Sequence, residues 1–336
     1  MTNTSIRVVL ITSSCLVFHA SAATDSSSTI TPLFGYQDDG LSAPVPEKTT
    51  VKPAENHTIL PFLGDEARKR GYELPAPFGV NINYMYIRQN INVDSINFNG
   101  LSLGGRSLDN AFKISVGNTR ERSKTETLKL DAWLLPFMNV YGLIGYTDGH
   151  SVSQIGVGIK GPLKDRTPSS LQNLAFQLDF KGTTYGVGTT LVGGVDNWFT
   201  AFDANYTQTR FDILDGSIDA LTLSPRVGYR FTTPSVDALH LPSGKLNLWV
   251  GSMYQDVQQE FSGSLNDLTM PSETLQRLVD IANKDGNGRF DVKQHLQSPW
   301  NVLVGAQYEI TRNFNVTTEI GFAERNSFFM AGEYRF

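Results

Sequence analysis

Only one cysteine, Cys15, occurs in 336 residues. It lies near the N-terminus, so a chain trimmed of that segment has no thiol, and disulfides are excluded as its stabilisers. Long hydrophobic runs are missing as well. Beyond the N-terminus the best candidate is Ala132 to Thr147, which is interrupted by Pro136, Asn139, Gly142 and Gly145; a membrane helix needs about 20 apolar residues. Neither charge sign dominates. The 28 Lys and Arg against 33 Asp and Glu give a net charge of −5, so nucleic acid finds no electrostatic footprint. A P-loop, a dinucleotide glycine motif and a zinc-spaced Cys/His set are all missing.

The N-terminal stretch MTNTSIRVVLITSSCLVFHASAA has one charge, Arg7, then an apolar run from Val8 to Phe18 and the small residues Ala20 to Ala22. This predicts a secretory signal peptide over 1–22. Thr12, three places before Cys15, argues against a lipoprotein. Residues 23–77 read as a flexible extension, rich in Ser, Thr and Pro and too poor in large apolar residues to offset the entropy of ordering. Within it, GDEARKRGYELPAP allows one helical turn before the prolines stop it.

What the chain does have is aromatics, glycine and a period of two. There are 20 Phe, 12 Tyr and 30 Gly, yet the mean hydropathy is only −0.21. From Phe78 onward apolar and polar residues alternate. In DALTLSPRVGYRF, Leu221, Leu223, Val227, Tyr229 and Phe231 share one side, while Thr222, Ser224, Arg226, Gly228 and Arg230 share the other. A soluble antiparallel sandwich has the same alternation. Three features point elsewhere. The apolar side turns aromatic near strand ends (Trp198, Tyr206, Tyr229, Phe231, Trp300, Tyr308), as at membrane interfaces. Glycine recurs on the polar side (Gly228, Gly251, Gly305, Gly321), and SFFMAGEYRF places Phe328, Met330, Tyr334 and Phe336 on one face. An exported chain without disulfides or a spanning helix is left with a closed barrel as its way through lipid.

The signal, the repeated amphipathic strands and the closing strand with Tyr334 and Phe336 resemble Gram-negative outer-membrane β-barrel proteins. That resemblance implies an all-β, antiparallel transmembrane barrel over 78–336 and a bacterial outer-membrane location. It also implies that residues 23–77 lie in the periplasm. The partners it implies are outer-membrane lipid, lipopolysaccharide and the barrel-assembly machinery, the last reading Tyr334 and Phe336 as its signal. Placing the tight connections on one side gives ten strands. Twelve result if 88–90 and 117–126 are turns. A break in alternation near Gly182 predicts a bulge or kink, and 258–299 reads as a long, partly helical outer loop.

The inward parity collects Lys129, Asp131, Asp203, Arg226, Arg230, Glu309, Glu319, Glu333 and Arg335. Such residues either line a narrow conduit for small polar solutes or fill and brace a closed barrel that serves a structural or surface-interaction role. A rim hydrolase is a third reading. Its candidates, Ser102 in GLSLG and His150 in TDGHS, lack the strand-to-helix elbow and a second partner. The segment NKDGNGRFDVKQ aligns with a calcium loop through Asn283, Asp285, Asn287 and Asp291. Gln294 at its twelfth position cannot supply a bidentate carboxylate, so weak calcium binding is expected. No other cofactor is indicated.

Overall fold

A computed structural model describes residues 59–70, 74–108, 112–159, 171–212, 214–234 and 244–336. The signal peptide expected over 1–22 and most of the extension expected over 23–77 lie outside the described residues. A short helix, α1 (Gly64–Lys69), precedes the sheet, at the position expected for a helical turn.

Thirteen strands follow: β1 (Phe78–Asn99), β2 (Ser102–Leu103), β3 (Arg106–Ser107), β4 (Phe112–Leu135), β5 (Met138–Ile159), β6 (Leu174–Val195), β7 (Trp198–Phe211), β8 (Asp215–Thr233), β9 (Gly244–Ser264), β10 (Arg289–Leu296), β11 (Trp300–Thr311), β12 (Phe314–Phe322) and β13 (Asn326–Arg335). A helix, α2 (Glu273–Ala282), lies between β9 and β10. Strand β1 pairs antiparallel with β4 along one edge and with β13 along the other. The sheet therefore closes as β1–β4–β5–β6–β7–β8–β9–β11–β12–β13 and back to β1, a ring of ten strands. The twelve-strand alternative fails because 88–90 and 117–126 run straight through β1 and β4, which pair Arg88 with Arg122.

The ring does not keep ten strands over its full height. β10 and β11 form one descending strand with a jog at 297–299: β9 pairs with β10 through Gln258–Ser264 and with β11 through Lys245–Tyr254. Below the jog, the β12–β13 hairpin is inserted between β11 and β1. Above it, β10 pairs directly with β1 through Ile91–Asn99. The barrel narrows from ten strands to eight. Short turns (136–137, 196–197, 312–313) and Phe78 lie at the ten-strand end, which is the periplasmic side by the rule for bacterial barrels. The eight-strand end is extracellular.

The expected bulge at Gly182 is absent. Register runs unbroken from Leu174 to Leu191 against β5, and Gly182 pairs with both Thr147 and Phe211. What changes there is the surroundings of the wall. Below Gly182 the outward side chains Tyr185, Val187 and Leu191 are exposed and apolar, while Thr184 turns inward. Above it the outward residues Lys181, Asp179 and Gln177 are polar, and Phe180 and Leu178 are buried inside. β1 inverts likewise, from outward Ile82, Tyr84 and Tyr86 to outward Arg88, Asn90 and Asn92. A strand alternates in one register throughout, and its polarity flips where lipid gives way to water.

The lower wall consequently carries a lipid-facing belt that includes Ile82, Leu128, Leu130, Ile144, Val187, Val250, Val304 and Ile320. Aromatics bound it below (Phe78, Phe137, Trp198, Phe231, Phe314, Tyr334, Phe336) and above (Tyr84, Tyr86, Tyr146, Tyr185, Tyr206, Trp300). Upper tyrosines hydrogen-bond the first polar residues of the wet zone: Tyr146 donates to Asp212 at 2.6 Å and Tyr206 to Asp219 at 2.7 Å. Such amphipathic rings belong at a membrane interface.

Candidate functional site

The interior is occupied at three levels. At the periplasmic end Arg335 donates to Asp131 at 2.6 Å and to Glu333, and its Nε donates to the Ala76 carbonyl at 3.1 Å. Asp131 also accepts from Asn81 (2.8 Å) and Asn139 (2.6 Å). The Arg335 guanidinium lies over the Trp133 ring, which packs with Val192 and Ala201 from β6 and β7. Each buried charge has a partner, as burial demands.

Above this floor lies a cavity of about 430 Å³ that reaches up to Glu121, Gln259 and Phe180. Two polar clusters brace it. Arg226 on β8 meets Glu319 on β12 through Nε–Oε2 at 2.7 Å and Nη2–Oε1 at 3.0 Å, and Trp249 Nε1 donates to Glu319 at 2.7 Å. Asp203 accepts from Tyr141 (2.9 Å), Thr190 (2.7 Å) and Asn205 (2.8 Å), with the Lys129 ammonium 4.8 Å from the Tyr141 ring centroid. The hydroxyls of Thr125, Thr147, Thr184 and Thr209 form a chain across four strands at 2.6–2.9 Å. Glycine makes room for the large rings. A Cβ at Gly305 would sit 2.3 Å from the Trp249 indole, and one at Gly228 2.4 Å from Phe199.

Where ten strands become eight, Arg325 from the β12–β13 turn is 1% exposed and donates to Gln255 and to the Pro299 carbonyl at 3.3 Å. Beside it Glu121 accepts from Gln89 (3.0 Å) and Gln259 (2.7 Å), and Gln259 accepts from Gln294 at 2.5 Å. Above this polar layer the eight-strand segment is filled by apolar side chains. Phe180, Phe211 and Phe261 have ring centroids 4.8–5.9 Å apart, with Ile155, Val157, Leu178, Phe290 and Val292 around them. Helix α2, N-capped by Ser272, buries Leu275, Val279 and Ala282 in the same core. Leu278, which the sequence pattern places on that face, is 39% exposed.

Of the residues expected inside, Lys129, Asp131, Asp203, Arg226, Glu319, Glu333 and Arg335 line the cavity. Arg230, whose Nε donates to Asn247 at 3.2 Å, and Glu309 lie outside that lining. Tyr334 faces outward in the lower girdle, and Phe336 exchanges backbone hydrogen bonds with Phe78 at 3.0 and 3.2 Å. Ser102 lies in the exposed β2–β3 hairpin and donates to Asp285 at 3.3 Å; His150 sits on the outer wall of β5, opposite Arg122. In the segment aligned with a calcium loop, Asn283 accepts from Gly288 N at 2.6 Å and donates to Asn266 at 2.9 Å, and Asp291 belongs to β10. Among the described residues no group of three His, Cys, Asp or Glu is arranged to hold a metal.

Several interior residues escaped sequence reasoning. Parity places Trp133 inward with Lys129 and Asp131, and Tyr141 and Trp249 inward as well, but it gives an aromatic no polar role; their partners come from strands far apart in sequence. Glu121 falls in GNTRERSKTE, which is strand in the ten-strand reading and turn only in the twelve-strand one. Arg325 belongs to a real turn, where parity gives no signal.

No family model and no curated protein matches the chain. Among solved structures, the beta domain of the Bordetella autotransporter BrkA is 10% identical, with 78% of this chain and 100% of that chain covered and a TM-score of 0.34. The outer membrane protein OprG from Pseudomonas aeruginosa is 12% identical, with 78% and 99% covered and a TM-score of 0.31. The Ralstonia pickettii toluene transporter TbuX is 9% identical, with 78% and 90% covered and a TM-score of 0.29. Likeness at this level does not reach to function. The closed even-numbered ring, its lipid-facing belt between two aromatic girdles and its polar lumen are those of a Gram-negative outer-membrane β-barrel protein.

Proposed function

We propose that this chain is a closed barrel that holds a packed extracellular turret at the cell surface. The observation that carries this reading is the inversion of wall polarity above the girdle, which fills the eight-strand segment with a dry core under α2. A standing water column needs an unfilled, largely polar lumen; here the segment from Phe180 upward is packed with apolar side chains. Leu103, Leu278 and Ile281 remain exposed at the tip and offer an apolar contact for another surface molecule.

The reconstituted protein should give no steady unitary conductance in planar bilayers, and the turret should resist protease on intact cells. The cavity with Lys129, Asp203, Arg226 and Glu319 favours a second reading, passage of small polar solutes once the upper core opens. Steady ion-selective openings that change in Arg226→Ala or Glu319→Ala would decide for that reading and against the closed barrel.

A further inference from the structure

We propose that the outer wall of β1 and β4, just above the upper girdle, is a binding site for the phosphate groups of lipopolysaccharide. Arg88 and Arg122 are direct register partners on these strands, and Arg120 stands one outward step higher, opposite Asn90. All three are exposed. Among the described residues none has a carboxylate within 4 Å. Three other exposed cations at the same end are paired: Arg289 with Asp215 at 2.5 Å, Lys293 with Glu260 at 2.9 Å and Lys181 with Asp148 at 3.2 Å. Like charges directly opposite in an antiparallel pair are destabilising, so this face carries a repulsion that the protein leaves unneutralised. Guanidinium forks match phosphate oxygens bidentately.

Height and the wall below choose the ligand. The arginines sit one step above Tyr86, where headgroups meet water. Lys124 is the register partner of Tyr86, and Glu126, next down β4, pairs with Tyr84. Lower on β4 and on the neighbouring β5 and β6, Leu128, Leu130, Ile144, Val187 and the small Gly142 and Gly186 form an apolar groove of about 530 Å³ on the lipid face. A phosphate clamp over an acyl-chain groove fits a phosphorylated glycolipid of the outer leaflet.

The test uses the full chain folded in detergent, with folding checked by heat-modifiable gel mobility. Diphosphoryl lipid A should raise the thermal midpoint and monophosphoryl lipid A should raise it less. The triple variant R88Q/R120Q/R122Q should lose about tenfold or more in diphosphoryl lipid A affinity. K293Q, higher on the wall at a lysine already paired with Glu260, should lose none. Without lipid, R122Q alone should raise the midpoint by relieving the repulsion, a readout that a folding defect would move the other way. Unchanged affinity in the triple variant would overturn the site. So would an equal shift from phosphatidylglycerol or from inorganic phosphate alone.

Discussion

Arg226 and Glu319 meet across the lumen in a two-point ion pair, although β9 and β11 lie between their strands. Trp249 completes the arrangement by donating to the same carboxylate. Breaking one side of such a buried pair leaves a charge without its partner, a loss of about 3–5 kcal/mol. Glu319→Ala and Arg226→Ala should each destabilise the folded barrel by that order in urea unfolding from lipid bilayers. The double variant should cost less than the sum of the two singles. Trp249 emission should shift in Glu319→Ala, because its indole N–H loses its acceptor.

The inversion of wall polarity makes opposite predictions for one substitution at two heights of β6. Val187 is 64% exposed in the lipid belt; Val187→Arg should destabilise by about 2–4 kcal/mol, the cost of a cation near the bilayer midplane. Gln177 faces outward on the same strand, above Gly182, and Gln177→Arg should stay within about 0.5 kcal/mol. The interior reverses the ranking. Phe180 is buried in the aromatic cluster, so Phe180→Ala should cost about 3–5 kcal/mol.

Fold class and all ten strands of the ring were legible because a barrel writes its geometry into alternation, whose period any strand must keep. β9 was legible only to Val257, since the wet half of the strand no longer carries outward apolar residues. β10 was hidden by the glycine-rich NKDGNG turn, although RFDVKQHL alternates cleanly, with Phe290, Val292 and Leu296 buried and Arg289, Lys293 and His295 exposed. The apparent fault at Gly182 arose from assuming one surrounding for the whole strand. Inward charges were legible by parity, but their partners were not: nothing local ties Arg226 to Glu319, 93 residues on, because their meeting depends on ring closure.

Phe78 and Phe336 finish the β1–β13 seam at its lower end, where they exchange backbone hydrogen bonds and set their rings 6.2 Å apart. Phe336→Ala removes one ring from that seam and one member of the lower girdle. The ring contact contributes about 0.5–1.5 kcal/mol beyond its buried area. The expected result is a lower thermal midpoint on heat-modifiable gels with the ten-strand ring still formed. Deleting Phe336 also removes both backbone bonds and should lower the midpoint further.

Glu121 gives the turret a dependence on pH. It lies in β4 between the exposed Arg120 and Arg122, above the belt, and burial raises its carboxyl above the ordinary 4.5, against the lowering effect of Gln259, Gln89 and Arg325. The folded chain therefore holds this proton at a pH where the unfolded chain has released it. The sign follows from linkage: the stability contribution is full below about 4.5, and it is lost as pH rises through the folded value. The buried Gln89 Oε1 has no partner, and rotation of that amide by half a turn would present it to a protonated Glu121. Glu121→Gln mimics the protonated acid. It should raise turret stability at neutral pH relative to the native chain, match it in acid, and flatten the pH profile of hydrogen exchange in β4 and β10. A steeper loss in alkali for the Gln variant would show that the carboxylate, held by Arg325, is the form the neck prefers.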